Sequence, residues 1–328
     1  MINLRYHVVS LVAVFLALAL GVVMGSTVFK DSVTNAQRAL TEQVVNQAEA
    51  LRQQKNQLSA ENDDLRTFGT AALPTVLHDK LKGRHVVLLD TDQVNNGTWQ
   101  GVRDTLQLAG ATVDGRVTFS SSRLTLQDDG DRTKFAALVG GDSADPQTLR
   151  ESLLGQLTAR LVAPDRLPTD DAVRARDKLT SLTDAKFASL DLAAQFKNGK
   201  AAFPQLGTLF VIIGPADGNP TLTPKSFLVP LADQLATRTT LPVAGVEAWA
   251  GTSSWVQELR ADKDANKLVT SVDDVDQVFG QYALVEALAA QLQSPAQPPG
   301  HYGTKAGSDG GLLPKTTTTT TGTGATAP

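Results

Sequence analysis

The chain has 328 residues, 41% of them hydrophobic, which is enough for one large or two modest packed domains. A formal net charge of -4 and the lack of any nucleic-acid-reading motif give no reason to expect a nucleic-acid partner. Cysteine is absent, which excludes disulfides, thiolate metal sites and a cysteine nucleophile, and the four histidines (His7, His78, His85, His301) and two methionines (Met1, Met24) form no closely spaced pair of soft-metal ligands.

The first element is a membrane segment. From Val8 to Met24 only Ser10 and Gly21 interrupt an apolar run, and the uncharged stretch continues to Phe29, just before Lys30 and Asp31. About 20 residues at 1.5 Å rise match a hydrocarbon core of about 30 Å, so residues 1–30 are predicted to be a single-pass anchor in contact with membrane lipid. A cleaved signal peptide is the alternative, since Arg5 precedes the run, but no A-x-A site comes after it and the run is longer than an ordinary signal core. The bias of positive charge toward the cytoplasm puts Arg5 inside and the rest of the chain outside, with Lys30 and Arg38 pulling the other way. Ala13, Ala17, Gly21 and Gly25 recur every fourth residue, a small-residue stripe that suits close helix packing in the membrane.

Residues 31–70 read as a helical stalk. No Gly or Pro occurs from Asp31 to Phe68, and Val44, Leu51, Leu58 and Leu65 fall seven apart as the a positions of a heptad. The d positions are Val33, Leu40, Gln47, Gln54, Glu61 and Phe68, apolar only at the two ends. This predicts a coiled coil weakened or tuned in its middle, and with it a homo-oligomer held by anchor and stalk. At about 1.5 Å per residue the run would lift the rest of the chain some tens of ångströms from the bilayer. A single solvated helix docked on its own domain is the other reading, and Gly69 and Pro74 are expected to end the stalk.

Residues 71–294 alternate short apolar runs with amphipathic stretches, which predicts an α/β fold with a mostly parallel sheet covered by helices. Strands are expected at Arg84–Asp90, Phe135–Gly141, Thr208–Gly214, Pro242–Val246 and Lys267–Val272. A helix carrying Leu149, Leu153, Leu157 and Leu161 is entered through Asp145 as cap and Pro146 at its first position. Another carries Phe227, Leu228, Leu231 and Leu235, and a last one runs from about Asp273 to Gln293. The stretch near 167–204 breaks the rhythm and reads as a helical insertion. Beyond Ser294 the Pro, Gly and Thr content predicts a disordered tail, 295–328.

Open α/β sheets bind ligands in the loops after their strands. Those loops bring Asp90, Asp92, Asp142 and Asp217 forward as candidates for a phosphate or metal pocket, but the same Asp-Gly-Pro text is what turns use, and the turn reading is preferred. No G-x-G-x-x-G or G-x-x-x-x-G-K-[ST] pattern is present. The acids Asp273, Asp274 and Asp276 read as the N-terminal cap of the last helix. Trp99, Trp249 and Trp255 read as core or edge residues. Neither catalysis nor a cofactor is predicted, and no metal ligand set is identified.

The opening MINLRYHVVSLVAVFLALALGVVMGS, the heptad stalk, and the closing TSVDDVD with GQ, LVEALA and HYG together resemble the actinobacterial copper transport protein MctB family over nearly the whole chain. The resemblance implies copper efflux and tolerance at the cell envelope, the copper ion as transported species, an outer-membrane location and a pore. The residues themselves show one spanning helix and buried α/β strands rather than the ten-residue alternation of a membrane barrel. Three readings stay open: a copper transport protein, a membrane-anchored envelope scaffold without direct copper contact, and a small-ligand-binding α/β domain.

Overall fold

A computed structural model describes residues 4–141, 145–162, 177–197, 203–216, 220–249, 254–295, 297–309 and 311–314, the side chains of 4, 26–37 and 39 aside. The chain divides into two compact units, Met1–Leu65 and Arg66–Pro328.

The first unit is helical throughout its described length, belonging to helix α1, Leu4–Leu77. Its stretch Arg5–Gly25 is long and apolar enough to cross a membrane, and none of it is buried within the protein. Further along, Leu40, Val44, Leu51, Leu58 and Leu65 are all exposed among the described residues.

Gly69 and Pro74 do not end α1, contrary to the sequence expectation; the helix runs through both to Leu77. Packing overrides the local signals. Within the second unit Leu73, Leu77 and Leu81 join the core cluster of Val86, Leu88, Val211 and Leu284, and that burial outweighs the backbone hydrogen bond lost at Pro74.

The second unit is built on a seven-stranded sheet in the order β3-β2-β1-β4-β5-β6-β7. The strands are β1 His85–Thr91, β2 Thr112–Phe119, β3 Ala188–Leu192, β4 Leu209–Ile213, β5 Val243–Val246, β6 Val269–Val272 and β7 His301–Tyr302. All pairings are parallel except β2 with β3. Strands β4, β5 and β6 are buried at every position, which is why they read as unbroken apolar runs.

Helices cover both faces. One core contains Val87, Leu89, Phe119 and Ile212 with α4 (Asp129–Val139), α5 (Pro146–Val162) and α8 (Leu228–Arg238). The other contains Val86, Leu88, Val211 and Ala244 with α2 (Asn96–Leu108) and α11 (Val278–Gln293). The short helices α3 (Ser121–Leu124), α6 (Lys178–Asp184), α7 (Ala194–Lys197), α9 (Trp255–Ala261) and α10 (Ala265–Leu268) complete the set among the described residues. As expected, α5 begins under Asp145, whose Oδ2 accepts from the amide of Thr148 at 2.8 Å.

Four expectations need correction. Phe135–Gly141 is the end of α4 and not a strand: Asp128 accepts from the amide of Asp131 at one end, and Gly140 sits in the left-handed region at φ 68° at the other. A short apolar run does not by itself distinguish the two periods. Strand β2 was not foreseen, because Asp114, Gly115 and Arg116 interrupt its apolar text; Asp114 is paired with His85 at 2.8 Å and Arg116 with Asp90 at 2.6 Å. The stretch near 167–204 holds an edge strand, β3, as well as helices, and residues 163–176 and 198–202 of it lie outside the described residues. Past Ser294 the chain returns to the sheet as β7, where Ser271 donates its amide to the carbonyl of Gly300 at 3.0 Å.

Leu77 is fully buried in the second unit. Its replacement by Ala is expected to lower the stability of that unit by about 2–5 kcal/mol, read from chemical denaturation of the full chain in detergent.

Candidate functional site

Strand β1 is flanked by β2 on one side and β4 on the other, so the winding of the sheet reverses between β1 and β4. In doubly wound sheets the crevice at the carboxyl ends of the strands around this point is the usual ligand site. Among the described residues, side chains of the chain itself pack at the strand ends beside it. Trp255, almost fully buried, lies over the ends of β4 and β5: a Cβ added at Gly214 would stand 1.7 Å from its ring, and one at Gly245 2.6 Å. Its indole Nε1 donates to the carbonyl of Val246 at 2.9 Å. Gln93, just after β1, bridges to Thr221 in the loop after β4, donating from Nε2 at 3.2 Å and accepting the Thr221 amide at 3.0 Å.

Asp90, next to the last residue of β1, is fully buried and paired with Arg116. Burial pushes its carboxyl up, and the Arg116 contact draws it part of the way back. The Arg116 guanidinium in turn lies 4.4 Å from the ring centre of Trp99. Asp92 holds the next loop, accepting the amide of Ser121 at 2.9 Å and the hydroxyl of Ser120 at 3.2 Å. Asp92 also borders a surface cleft of about 320 Å³ with Thr118, Ser120, Thr183, Lys186 and Ser189, to one side of the switch point. Asp142 and Asp217 lie outside the described residues. Of the small-residue stripe, Ala13, Ala17 and Gly21 are exposed, and nothing stands within 4 Å of a Cβ added at Gly21 or Gly25.

The feature that sequence reasoning missed is a set of buried charges at the ends of β5 and β6. Asp273 and Asp274 do not cap the last helix, contrary to expectation. That helix starts later, at Val278 behind Gln277, and both acids are fully buried. Asp273 is paired with Arg260 at 2.8 Å, both side chains sealed from solvent. Glu247, the residue after β5, is paired with Lys305 at 2.6 Å. Arg260 also donates to Ser271 Oγ at 2.8 Å, to the carbonyl of Tyr302 at 2.7 Å and to that of Lys305 at 3.2 Å. Burial lowers its pKa against the pull of Asp273, and burial likewise raises that of Glu247 against the pull of Lys305. Asp276 is the member of the acidic run nearer the surface, accepting the amide of Trp249 at 2.8 Å.

His301 belongs to the same region and is almost fully buried. Its Nδ1 is 2.8 Å from Ser271 Oγ and its Nε2 3.0 Å from the carbonyl of Asn266, so both ring nitrogens are engaged. Burial pushes the imidazole toward its neutral form. Among the described residues no group of three or more His, Cys, Asp or Glu converges as a metal-holding set. The one sequence signal for the buried network was the placement of three acids directly after the apolar strand text of β6, where a buried strand end and a helix start look alike.

A helix apolar enough to cross a bilayer, joined to a doubly wound α/β domain, defines a membrane protein with an α/β domain. The chain belongs to the MctB family: the family model described as "Copper transport outer membrane protein, MctB" matches residues 1–313. It is 26% identical over 312 residues to the protein named Copper transporter MctB of Mycobacterium tuberculosis (strain ATCC 25618 / H37Rv), covering 93% of this chain and 96% of that relative. The same figures hold for its namesake in Mycobacterium bovis (strain ATCC BAA-935 / AF2122/97). The namesake in Mycobacterium leprae (strain TN) is 28% identical over 305 residues, covering 88% and 92%.

Lys305→Met is expected to cost about 3–5 kcal/mol, because it leaves Glu247 buried without a partner. Adding Glu247→Gln should recover most of that loss. Chemical denaturation of both variants checks the pair, and a loss that the second substitution does not relieve would count against the ion pair as its cause.

Proposed function

We propose that this protein serves copper transport at the cell envelope, as a single-pass membrane protein that works as an oligomer. The observation that carries this reading is the family match over residues 1–313, together with relatives named as copper transporters along nearly their whole length. In this reading residues 1–30 are the anchor, 31–70 the stalk and 71–294 the α/β head outside the cytoplasm, with copper as cargo that leaves the cell. Outer-membrane placement, copper tolerance and a pore built from several copies belong to the same proposal.

The exposed heptad stripe supports self-association. Two copies that align Val44, Leu51, Leu58 and Leu65 would remove four large apolar side chains each from water, at about 1.5–3 kcal/mol for a fully buried one. The small residues Ala13, Ala17, Gly21 and Gly25 would allow the same two helices to approach closely in lipid.

A second reading, an envelope scaffold that does not itself touch copper, is favoured by one specific observation. His301, the histidine of the buried charged region, has both ring nitrogens engaged, so it offers no free lone pair to a metal.

Two experiments test these readings. A deletion strain under copper challenge is expected to accumulate copper, and the full chain, but not a version lacking the head, is expected to correct it. Unchanged copper in the deletion strain would end the transport reading. The double substitution L51K/L58K is expected to reduce the oligomer to a smaller species in detergent, measured by light scattering, and an unchanged mass would remove the stalk from the interface.

A further inference from the structure

The segment 300–309 is fastened across the ends of β5 and β6 by the short β6–β7 pairing and by buried charge. Lys305 reaches Glu247, and Arg260 of α9 holds the carbonyls of Tyr302 and Lys305. Asp309 accepts the amide of His301 at 2.8 Å and returns its own amide to the His301 carbonyl at 2.8 Å. Gly303, at φ 127°, passes so close to Asp273 that an added Cβ would lie 2.0 Å from its carboxylate.

Counting the buried charges gives an imbalance. Glu247, Asp273 and Asp274 are three carboxyl groups without solvent contact, and Arg260 and Lys305 are the two cations that face them. Among the described residues the remaining charged neighbours do not supply a third cation. Burial pushes His301 toward its neutral form, Asp309 is exposed and acidic, and Asp276 is acidic and accepts the Trp249 amide. Within the trio, Asp273 and Asp274 share donors. The Thr304 amide lies 2.7 Å from Asp273 Oδ1 and 3.3 Å from Asp274 Oδ2, and its hydroxyl 3.4 Å and 2.8 Å from the same two atoms. Asp274 Oδ1 is buried with no donor to accept from. The two carboxyl groups therefore compete for the same two Thr304 donors, and the pair is left short of donors while both are ionised.

We propose that the Asp273–Asp274 pair is a one-proton site that latches the C-terminal segment 300–309 onto the sheet, tight when the proton is bound and loosened when it leaves. The unmatched buried charge is the driving force: without the proton, three carboxylates stand against two cations in a region that water does not reach. Desolvation and the neighbouring Asp273 push the Asp274 carboxyl up to about 6, while Asp273, beside Arg260 and the Thr304 amide, is held below its ordinary value.

Linkage sets the sign. A carboxyl whose pKa is raised in the closed state binds its proton more tightly there than when the segment is open. The latch is therefore firmest below about pH 4 as far as Asp274 is concerned, and this contribution is lost as pH rises through about 6.

Hydrogen exchange of the full chain in detergent, read at the peptides covering 269–273 and 300–309 and corrected for intrinsic exchange rates, tests the proposal. Protection of these peptides is expected to be about tenfold greater at pH 5 than at pH 7.5, since each pH unit below the raised pKa is worth about tenfold. Asp274→Asn keeps the shape and removes this titration, so the tenfold difference between the two pH values should collapse, leaving only what Glu247 and His301 contribute. A flat profile in the unmodified protein overturns the proposal, as does a tenfold pH dependence that survives undiminished in D274N. Should D274N not fold, Thr304→Val serves instead: losing the hydroxyl donor must move the midpoint of the profile to higher pH, and an unmoved midpoint overturns the assignment.

Discussion

The architecture of the second unit depends on how charge is neutralised where water is excluded. Parallel strands buried on both faces end in a plane where backbone and side chains turn polar, and in this chain the turn comes before solvent is reached. Glu247 and Asp273 come directly after β5 and β6 and are fully buried. A lone buried carboxylate costs several kcal/mol, so each needs a cation brought from elsewhere in the chain. Arg260 comes from α9 and Lys305 from beyond β7. The second of these contacts draws the C-terminal segment back to the sheet and makes a two-residue strand possible where backbone pairing alone would be too short to hold.

The same filling of the carboxyl edge bears on what the domain does. Its winding is that of sheets that bind nucleotides or small ligands at the switch point, yet Trp255 lies over β4 and β5 and the Gln93–Thr221 pair spans the gap beside β1. Fold alone does not decide function. A copper transporter is what the relatives are named.

The sequence and the structure agree on two elements that local chemistry decides. The apolar anchor is an exposed helix because its composition permits little else, and α5 begins under Asp145 because an aspartate before a proline is a strong cap. They part where a distant residue intervened. Pro74 reads as a stop because its missing amide is visible in the sequence, whereas the burial of Leu73 and Leu77 that overrides it is not. Strand β2 was passed over because Asp114 and Arg116 are poor strand text until His85 and Asp90 stand opposite them.

The sequence by itself determined the apolar segment, the heptad spacing, the alternation that makes an α/β domain and the family. Each rests on periodicity or composition over many residues, where local errors average out. Only the tertiary structure decided the strand order, the packing of Trp255 over the ends of β4 and β5, and the burial of Asp273 and Asp274 rather than their use as a helix cap. Those depend on which charges and rings meet between residues far apart in the chain, and the carboxylate of Asp273 looks the same in the sequence whether water or Arg260 lies beside it.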